Sequence, residues 1–178
     1  MALKATIFKA AIQIADLDRH YYQTHNLTIA RHPSETDERM MIRLLAFTLH
    51  ADEQLSFTKG ISTEDEPDLW LKNYSDEIEL WVDLGQPDEK RIRKACGRSK
   101  QVVLYNYGGN TSDMWWQVNS GKFSRFDNLR IINLSQEQTQ QLAEFSQRSM
   151  QLNATIQEGH VLLSDGSRSL DLMLEQRL

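Results

Sequence analysis

Two short alternating segments, Asp68-Leu69-Trp70-Leu71-Lys72 and Glu79-Leu80-Trp81-Val82-Asp83, flank a polar linker from Asn73 to Glu77. This pairing constrains the fold more than any other stretch. Strand side chains alternate between faces, so a hairpin centred on Ser75-Asp76 sets Trp70 against Trp81, Lys72 against Glu79 and Asp68 against Asp83. Leu69, Leu71, Leu80 and Val82 share the other face. Directly opposed residues have Cβ atoms roughly 4.5–5.5 Å apart, a separation at which two carboxylates repel. A divalent cation held by both offsets that repulsion.

The chain has 178 residues, 40% of them hydrophobic, which suits one compact domain over 1–178 with a sizeable core. It has no internal repeat, no low-complexity segment and only three prolines, so nothing marks a flexible linker. No apolar run reaches membrane-span length, and Met1-Ala2-Leu3-Lys4-Ala5-Thr6 lacks the layout of a signal peptide. The expectation is a cytoplasmic protein with no membrane partner. Cys96 is the sole cysteine, which excludes an internal disulfide and a multi-cysteine zinc site, and its apolar helical setting reads as core packing. His20, His32, His50 and His160 show no metal-ligand spacing.

A net charge of −5 argues against a globally positive nucleic-acid coat. Distribution matters more than the sum. Acids dominate from Asp52 to Glu89, and Lys90, Arg91, Arg93, Lys94, Arg98 and Lys100 then follow with no acid among them. A solvated helix face is the ordinary account of such a run.

Residues 2–14 read as an extended segment with Asn26–Ala30 as its partner. Ser34, with Asp37 three residues on, fits a helix N-cap, and a helix from about Glu35 to His50 follows. Met41, Ile42, Leu45 and Leu49 recur at helical spacing, with Glu38 on the same stripe and Glu35 beside it. An acid on an apolar stripe needs a metal or a salt bridge, here to Arg39, Arg43 or a strand residue.

Leu55–Lys59 alternates as a strand, residues 60–66 form a polar connection, and the 68–73/78–84 hairpin completes three antiparallel strands. Pro87 suits the first turn of a helix running to about Cys96, which Gly97 ends. Gln101–Tyr105 makes the next strand, parallel to 78–84 in a βαβ unit. Ser112–Gln117 reads as a short helix whose two tryptophans pack inward and shield an edge. Leu129–Leu134 is a strand, and Ser135 caps a helix over Gln136–Ser149 carrying Leu142, Phe145 and Met150. Residues 152–158, 160–164 and 167–173 form terminal strands. The fold class is α/β (α+β): a mixed central sheet with αβββαβ order flanked by helices, plus an N-terminal β-hairpin and C-terminal strands.

The segments MALKATI, DRHYY, LTIARHPSETDERMMIRLLAF, FTKG, DEPDLW, DLGQPDEKRIRKACGR and ATIQEG resemble the YaeQ family through nearly the whole chain. That resemblance implies a core similar to the PD-(D/E)XK restriction-endonuclease-like group, in which a helix glutamate and two strand acids hold a metal and a lysine handles water or phosphate. Carried onto this chain, Pro67-Asp68 matches the PD element, Asp83 the next acid, and Glu35 or Glu38 the helix acid. The metal set is then Glu35, Glu38, Asp68 and Asp83, binding Mg2+ or Mn2+. The pattern departs at the lysine, because Gly85 stands two residues after Asp83. Lys90 or Lys94, with Arg91 as a guanidinium substitute or Lys72 on the hairpin, are the replacements.

Carboxylates that hold a hard metal beside phosphate-binding cations suit phosphodiester hydrolysis of DNA or RNA. One expectation is therefore a metal-dependent nuclease with Asp68, Asp83, Lys90 and Lys94 as catalytic residues. The alternative is a catalytically silent binding or regulatory protein on the same fold.

Overall fold

The computed structural model describes residues 4–59 and 65–178. The first residues of the expected N-terminal strand and positions 60–64 of the expected polar connection lie outside these. The chain divides into two compact units, Met1–Leu49 with Glu137–Leu174, and His50–Gln136 with Glu175–Leu178. Each contains a mixed sheet, and the described residues form four helices.

The first unit begins with the hairpin β1 (Thr6–Asp16) and β2 (Tyr21–Arg31); β1 runs two residues further towards the turn than the sequence suggests and β2 starts five residues earlier. Phe8, Ala10, Ile12 and Ile14 alternate inward along β1 and are buried. The connection shrinks to four residues because Asp16, nearly fully buried, accepts the Asp18 and Arg19 N–H groups at 3.1 and 3.0 Å. Its carboxylate also pairs with the Arg19 guanidinium at 2.8 Å.

The helix α1 (Asp37–Leu49) starts later than expected. Thr36 Oγ1 accepts the Arg39 N–H at 3.1 Å and caps it, whereas the Ser34 hydroxyl bonds to His32 at 2.7 Å. All positions from Met40 to Thr48 are buried, including Arg43. Such all-round burial marks an interior helix, and a cation within it needs a partner. Glu35, just outside the helix, supplies it. Arg43 donates to both Glu35 oxygens at 2.9 and 2.6 Å and to the Ala30 carbonyl at 3.0 Å, and Arg39 adds a contact at 2.9 Å.

Two further differences lie near the C-terminus. The helix α4 (Gln136–Ala143) ends six residues earlier than expected, and Ser149 already opens the strand β8 (Ser149–Gln157). Met150, Leu152, Ala154 and Ile156 are buried with period two, so a residue that extends a helical stripe belongs to a strand. β8 lies parallel to β1, and β9 (His160–Ser164) and β10 (Ser169–Met173) complete the sheet order β10-β9-β8-β1-β2. Ile12, Met41, Leu44, Leu45, Leu142 and Val161 surround a void of only about 10 Å³, at the lower limit for one water.

The second unit holds β3 (Leu55–Phe57), β4 (Leu69–Lys72), β5 (Ile78–Leu84), α2 (Glu89–Arg98), β6 (Ser99–Asn106), α3 (Asn110–Phe123), β7 (Leu129–Asn133) and β11 (Glu175–Gln176). Its sheet order is β11-β7-β6-β5-β4-β3, with β5, β6 and β7 parallel and β3, β4 and β5 antiparallel. Along the chain, α1, β3, β4, β5, α2 and β6 reproduce the expected αβββαβ order. Every β5 residue except Glu79 is buried, as befits a central strand. Trp81, Ile92, Ala95, Val102, Leu104, Phe123 and Ile131 form the core, with Trp115 and Trp116 packed partly against it. Both tryptophans belong to a helix longer than the short one expected. β11 has no sequence signal; its two residues pair with Asn133 and Ile132.

The helix α2 also differs from expectation. Asp88, not Pro87, begins it as N-cap, and Gly97 is a residue inside the last turn rather than its stop. No helix among the described residues is long and apolar enough to cross a membrane.

Two predictions follow from this packing. Glu35→Ala strands two arginines, one of them buried, and should destabilise the protein by about 3 kcal/mol, whereas Glu35→Leu with Arg43→Met should cost less than the single change; urea unfolding of the two variants measures the difference. Burial pushes the Cys96 thiol up to about 11, so its alkylation by iodoacetamide should be slow at neutral pH and climb steadily as the pH is raised towards that value.

Candidate functional site

The hairpin register of β4 and β5 is the one expected in its middle. Trp70 opposes Trp81 and Leu69 opposes Val82, the last pair of the ladder, so the expected pairing of Asp68 with Asp83 does not form. The Asp68 N–H donates at 3.0 Å to the carbonyl of Val82, the residue that Leu69 already opposes, so the ladder slips by one residue at its open end. At the turn end the expectation also fails. A bulge between Leu71 and Lys72 sets Lys72 against Ile78 instead of Glu79. Glu79 then bonds to Lys100 at 2.8 Å and to Asn73 at 2.8 Å, and Lys72 reaches Asp76 at 3.5 Å while lying over the Trp70 ring. Lys72 is therefore turned to the hairpin's own turn.

Asp68 and Asp83 are both buried, at 5% and 4% exposure. One Asp68 oxygen accepts the Leu84 N–H at 3.0 Å. Asp83 faces a guanidinium: Arg91 donates from Nε to Oδ2 at 2.9 Å and from Nη2 to Oδ1 at 3.1 Å, a two-point grip. Arg91 Nη2 also reaches the Glu66 carbonyl at 2.9 Å. Burial by itself lowers the Arg91 pKa, but the Asp83 hydrogen bond and charge, followed by the charges of Asp68 and Asp88, raise it above the ordinary arginine value.

Local structure explains why Arg91 occupies this place. Gly85 turns the chain off β5 at φ 97°, in the left-handed region, and its N–H bonds to the Tyr105 carbonyl at 2.9 Å. Asp88 accepts the Arg91 N–H at 2.8 Å and so fixes the first turn of α2. That cap settles which member of the basic run turns towards β5. The position where the nuclease pattern has its lysine is thus a turn that a side-chain-bearing residue would strain.

The remaining cations spread outward. Lys94 pairs with the exposed Asp65 at 2.6 Å, and this contact, together with the charges of Arg98 and Arg91, lowers the Asp65 pKa. Arg98 donates to the Asp65 carbonyl at 2.9 Å and lies over the Trp81 ring. Lys90 is exposed. Trp81, Asp88, Lys90, Arg91 and Lys94 line a cleft of about 310 Å³. The Trp81 indole nitrogen is buried without a hydrogen-bond partner.

The two helix acids are engaged within the other unit, Glu35 by Arg43 and Arg39, and Glu38 by the Thr139 hydroxyl at 3.1 Å. Both oxygens of Asp83 and of Glu35 thus carry arginine contacts. In this arrangement they do not fit a divalent ion, which needs oxygens free to coordinate it. Among the described residues no three His, Cys, Asp or Glu side chains are grouped to hold a metal. From sequence Arg91 is a candidate only as a guanidinium substitute for the lysine; its part as the partner of Asp83 depends on the Asp88 cap, which has no clear signal in the Gln86-Pro87-Asp88 run.

Removing Arg91 leaves Asp83 as a buried charge with no counter-ion. Arg91→Ala should therefore cost about 3 kcal/mol of stability, and Asp83→Asn should cost less, because the amide oxygen still accepts a hydrogen bond. Chemical denaturation of the two variants gives both values.

The YaeQ protein family model matches residues 1–174. An uncharacterized YaeQ protein of Salmonella typhi is 51% identical over 174 residues, covering 98% of this chain and 96% of its own length. The Escherichia coli counterpart is 49% identical over the same share of both chains. Among solved structures, the YaeQ protein of Xanthomonas axonopodis pv. citri superposes with a TM-score of 0.95 at 47% identity, over 97% of this chain and 98% of that one. That of Pseudomonas syringae gives 0.93 at 34% identity, over 98% and 96%. With a family model spanning almost its full length and relatives at about half identity, the chain belongs to the YaeQ family.

Proposed function

We propose that this chain is a non-cleaving, phosphate-binding protein on a restriction-endonuclease-like scaffold, in which Arg91 takes the place of a metal at the Asp68–Asp83 pair. The two-point contact of Arg91 with Asp83 carries this reading. The βββαβ run of the second unit, with antiparallel β3, β4 and β5 followed by α2 and parallel β6, is the observation behind the scaffold. The ligand is the backbone of DNA or RNA. Lys90 and Lys94 border the cleft beside Arg91, and the exposed Lys94–Asp65 pair contributes little, so a phosphate can displace it.

Metal-dependent phosphodiester hydrolysis is the second reading, favoured by two buried carboxylates, Asp68 and Asp83, whose charges both act on Arg91. It requires Arg91 to leave Asp83 and Mg2+ or Mn2+ to enter. One set of measurements separates the two. Short single- and double-stranded DNA and RNA should bind without metal, weaken as salt rises, and remain uncut when manganese is added; Lys90→Glu with Lys94→Glu should reduce affinity at least about tenfold. Manganese should stabilise Arg91→Ala against heat but leave the wild type unchanged. Cleavage by the wild type that needs manganese and is lost in Asp83→Asn would establish the second reading, and no binding of any of these oligonucleotides sinks the first.

A further inference from the structure

Arg91, Lys94 and Arg98 stand three and four residues apart on α2 and so share one face of that helix. All three donate to the same two-residue segment just before Pro67. Arg91 Nη2 reaches the Glu66 carbonyl at 2.9 Å, Lys94 Nζ the Asp65 carboxylate at 2.6 Å, and Arg98 Nη1 the Asp65 carbonyl at 2.9 Å. Oxygens of the chain itself, one of them anionic, thus occupy the donors that face a phosphate ligand. The backbone beyond this segment is fixed as well. The Thr58 hydroxyl donates to the Pro67 carbonyl and the Thr58 N–H to the Asp68 carbonyl, so Asp65 is tethered two residues from an anchored position.

We propose that Asp65 is a built-in competitor of the nucleic-acid backbone: its carboxylate occupies Lys94, and a phosphate reaches that ammonium only by displacing it. This inference rests on the phosphate-binding reading of the cleft. Arg91 and Arg98 meet neutral carbonyls on the segment, whereas Lys94 meets its one charge, so the Lys94–Asp65 contact is where the competition is decided. A tethered group competes at a high effective concentration, here set by the short chain between Asp65 and the anchored Pro67. The contact is exposed, which keeps the competition weak enough for a polyanion to win. Asp65 therefore lowers the affinity of the cleft without closing it.

Fluorescence anisotropy of the full chain with short single- and double-stranded DNA and RNA, at low salt, tests this. Asp65→Asn should bind about threefold tighter than the wild type, the gain expected when one exposed ion pair no longer has to be broken. That gain should shrink as salt is raised. Asp76→Asn removes the same charge from the turn between β4 and β5, where its partner is Lys72, and should change the affinity far less. In Lys94→Met, which binds more weakly, Asp65→Asn should bring no further gain, because the competitor has lost its target; a general charge effect would persist there. Equal affinity of the wild type and Asp65→Asn overturns the proposal and leaves the phosphate-binding reading standing. So does a gain that survives in Lys94→Met or that Asp76→Asn matches. If neither the wild type nor Asp65→Asn binds any of these oligonucleotides, the phosphate-binding reading falls and the competitor falls with it.

Discussion

The fork between Arg91 and Asp83 organises the second unit. Three segments converge on this guanidinium: the end of β5 through Asp83, the start of α2 through its own capped backbone, and the approach to β4 through the Glu66 carbonyl. A carboxylate buried to this extent costs several kcal/mol of desolvation, and only good geometry with further hydrogen bonds offsets it. Arg91 supplies that geometry because the helix holding it starts where Asp88 places it. Strand end, glycine turn, cap and ion pair therefore stand or fall together.

The first unit solves the same problem with a second arginine site. Glu35 meets Arg43 from the interior of α1 and Arg39 from one turn earlier. Arg43 also satisfies the Ala30 carbonyl at the end of β2, so the pair joins strand, loop and helix. Two of the four acids in the expected metal set, Glu35 and Asp83, are thus held by guanidinium groups drawn from their own unit. Acid positions in a motif locate a place in a fold, while the partners present decide what the place can do.

What was legible followed from short-range pattern. Alternation on each side of the Asn73–Glu77 turn is enough to place Trp70 against Trp81 and Leu69 against Val82, because a hairpin register depends on its turn and its buried face. The bulge at Lys72 left no trace in that alternation. Helical spacing overstates α4 because Phe145 and Met150 extend the stripe of Leu142, although Met150 equally begins the period-two row of β8. The pairing of β8 with β1, more than a hundred residues away in the chain, leaves no local signal at all. Arg91 shows the same limit in the site. Its neighbours Lys90 and Arg93 are equally basic, and shifting the helix start by one residue turns each side chain by about 100°, so only the cap identifies the one that reaches Asp83.

Gly85 turns that geometry into a chemical distinction. Its left-handed backbone takes the chain from β5 into α2 and makes a lysine at that point strained, although the space around it is open. The cation nearest the acid pair is consequently a guanidinium from the helix. A lysine can lose its proton when buried and so exchange one with water, whereas a guanidinium keeps its charge at any physiological pH. Here the neighbouring carboxylates raise the Arg91 pKa further still. Such a group can grip a carboxylate or a phosphate in two places, but it cannot accept a proton from an attacking water. This property is consistent with the proposed binding role and supplies no base for hydrolysis at this position.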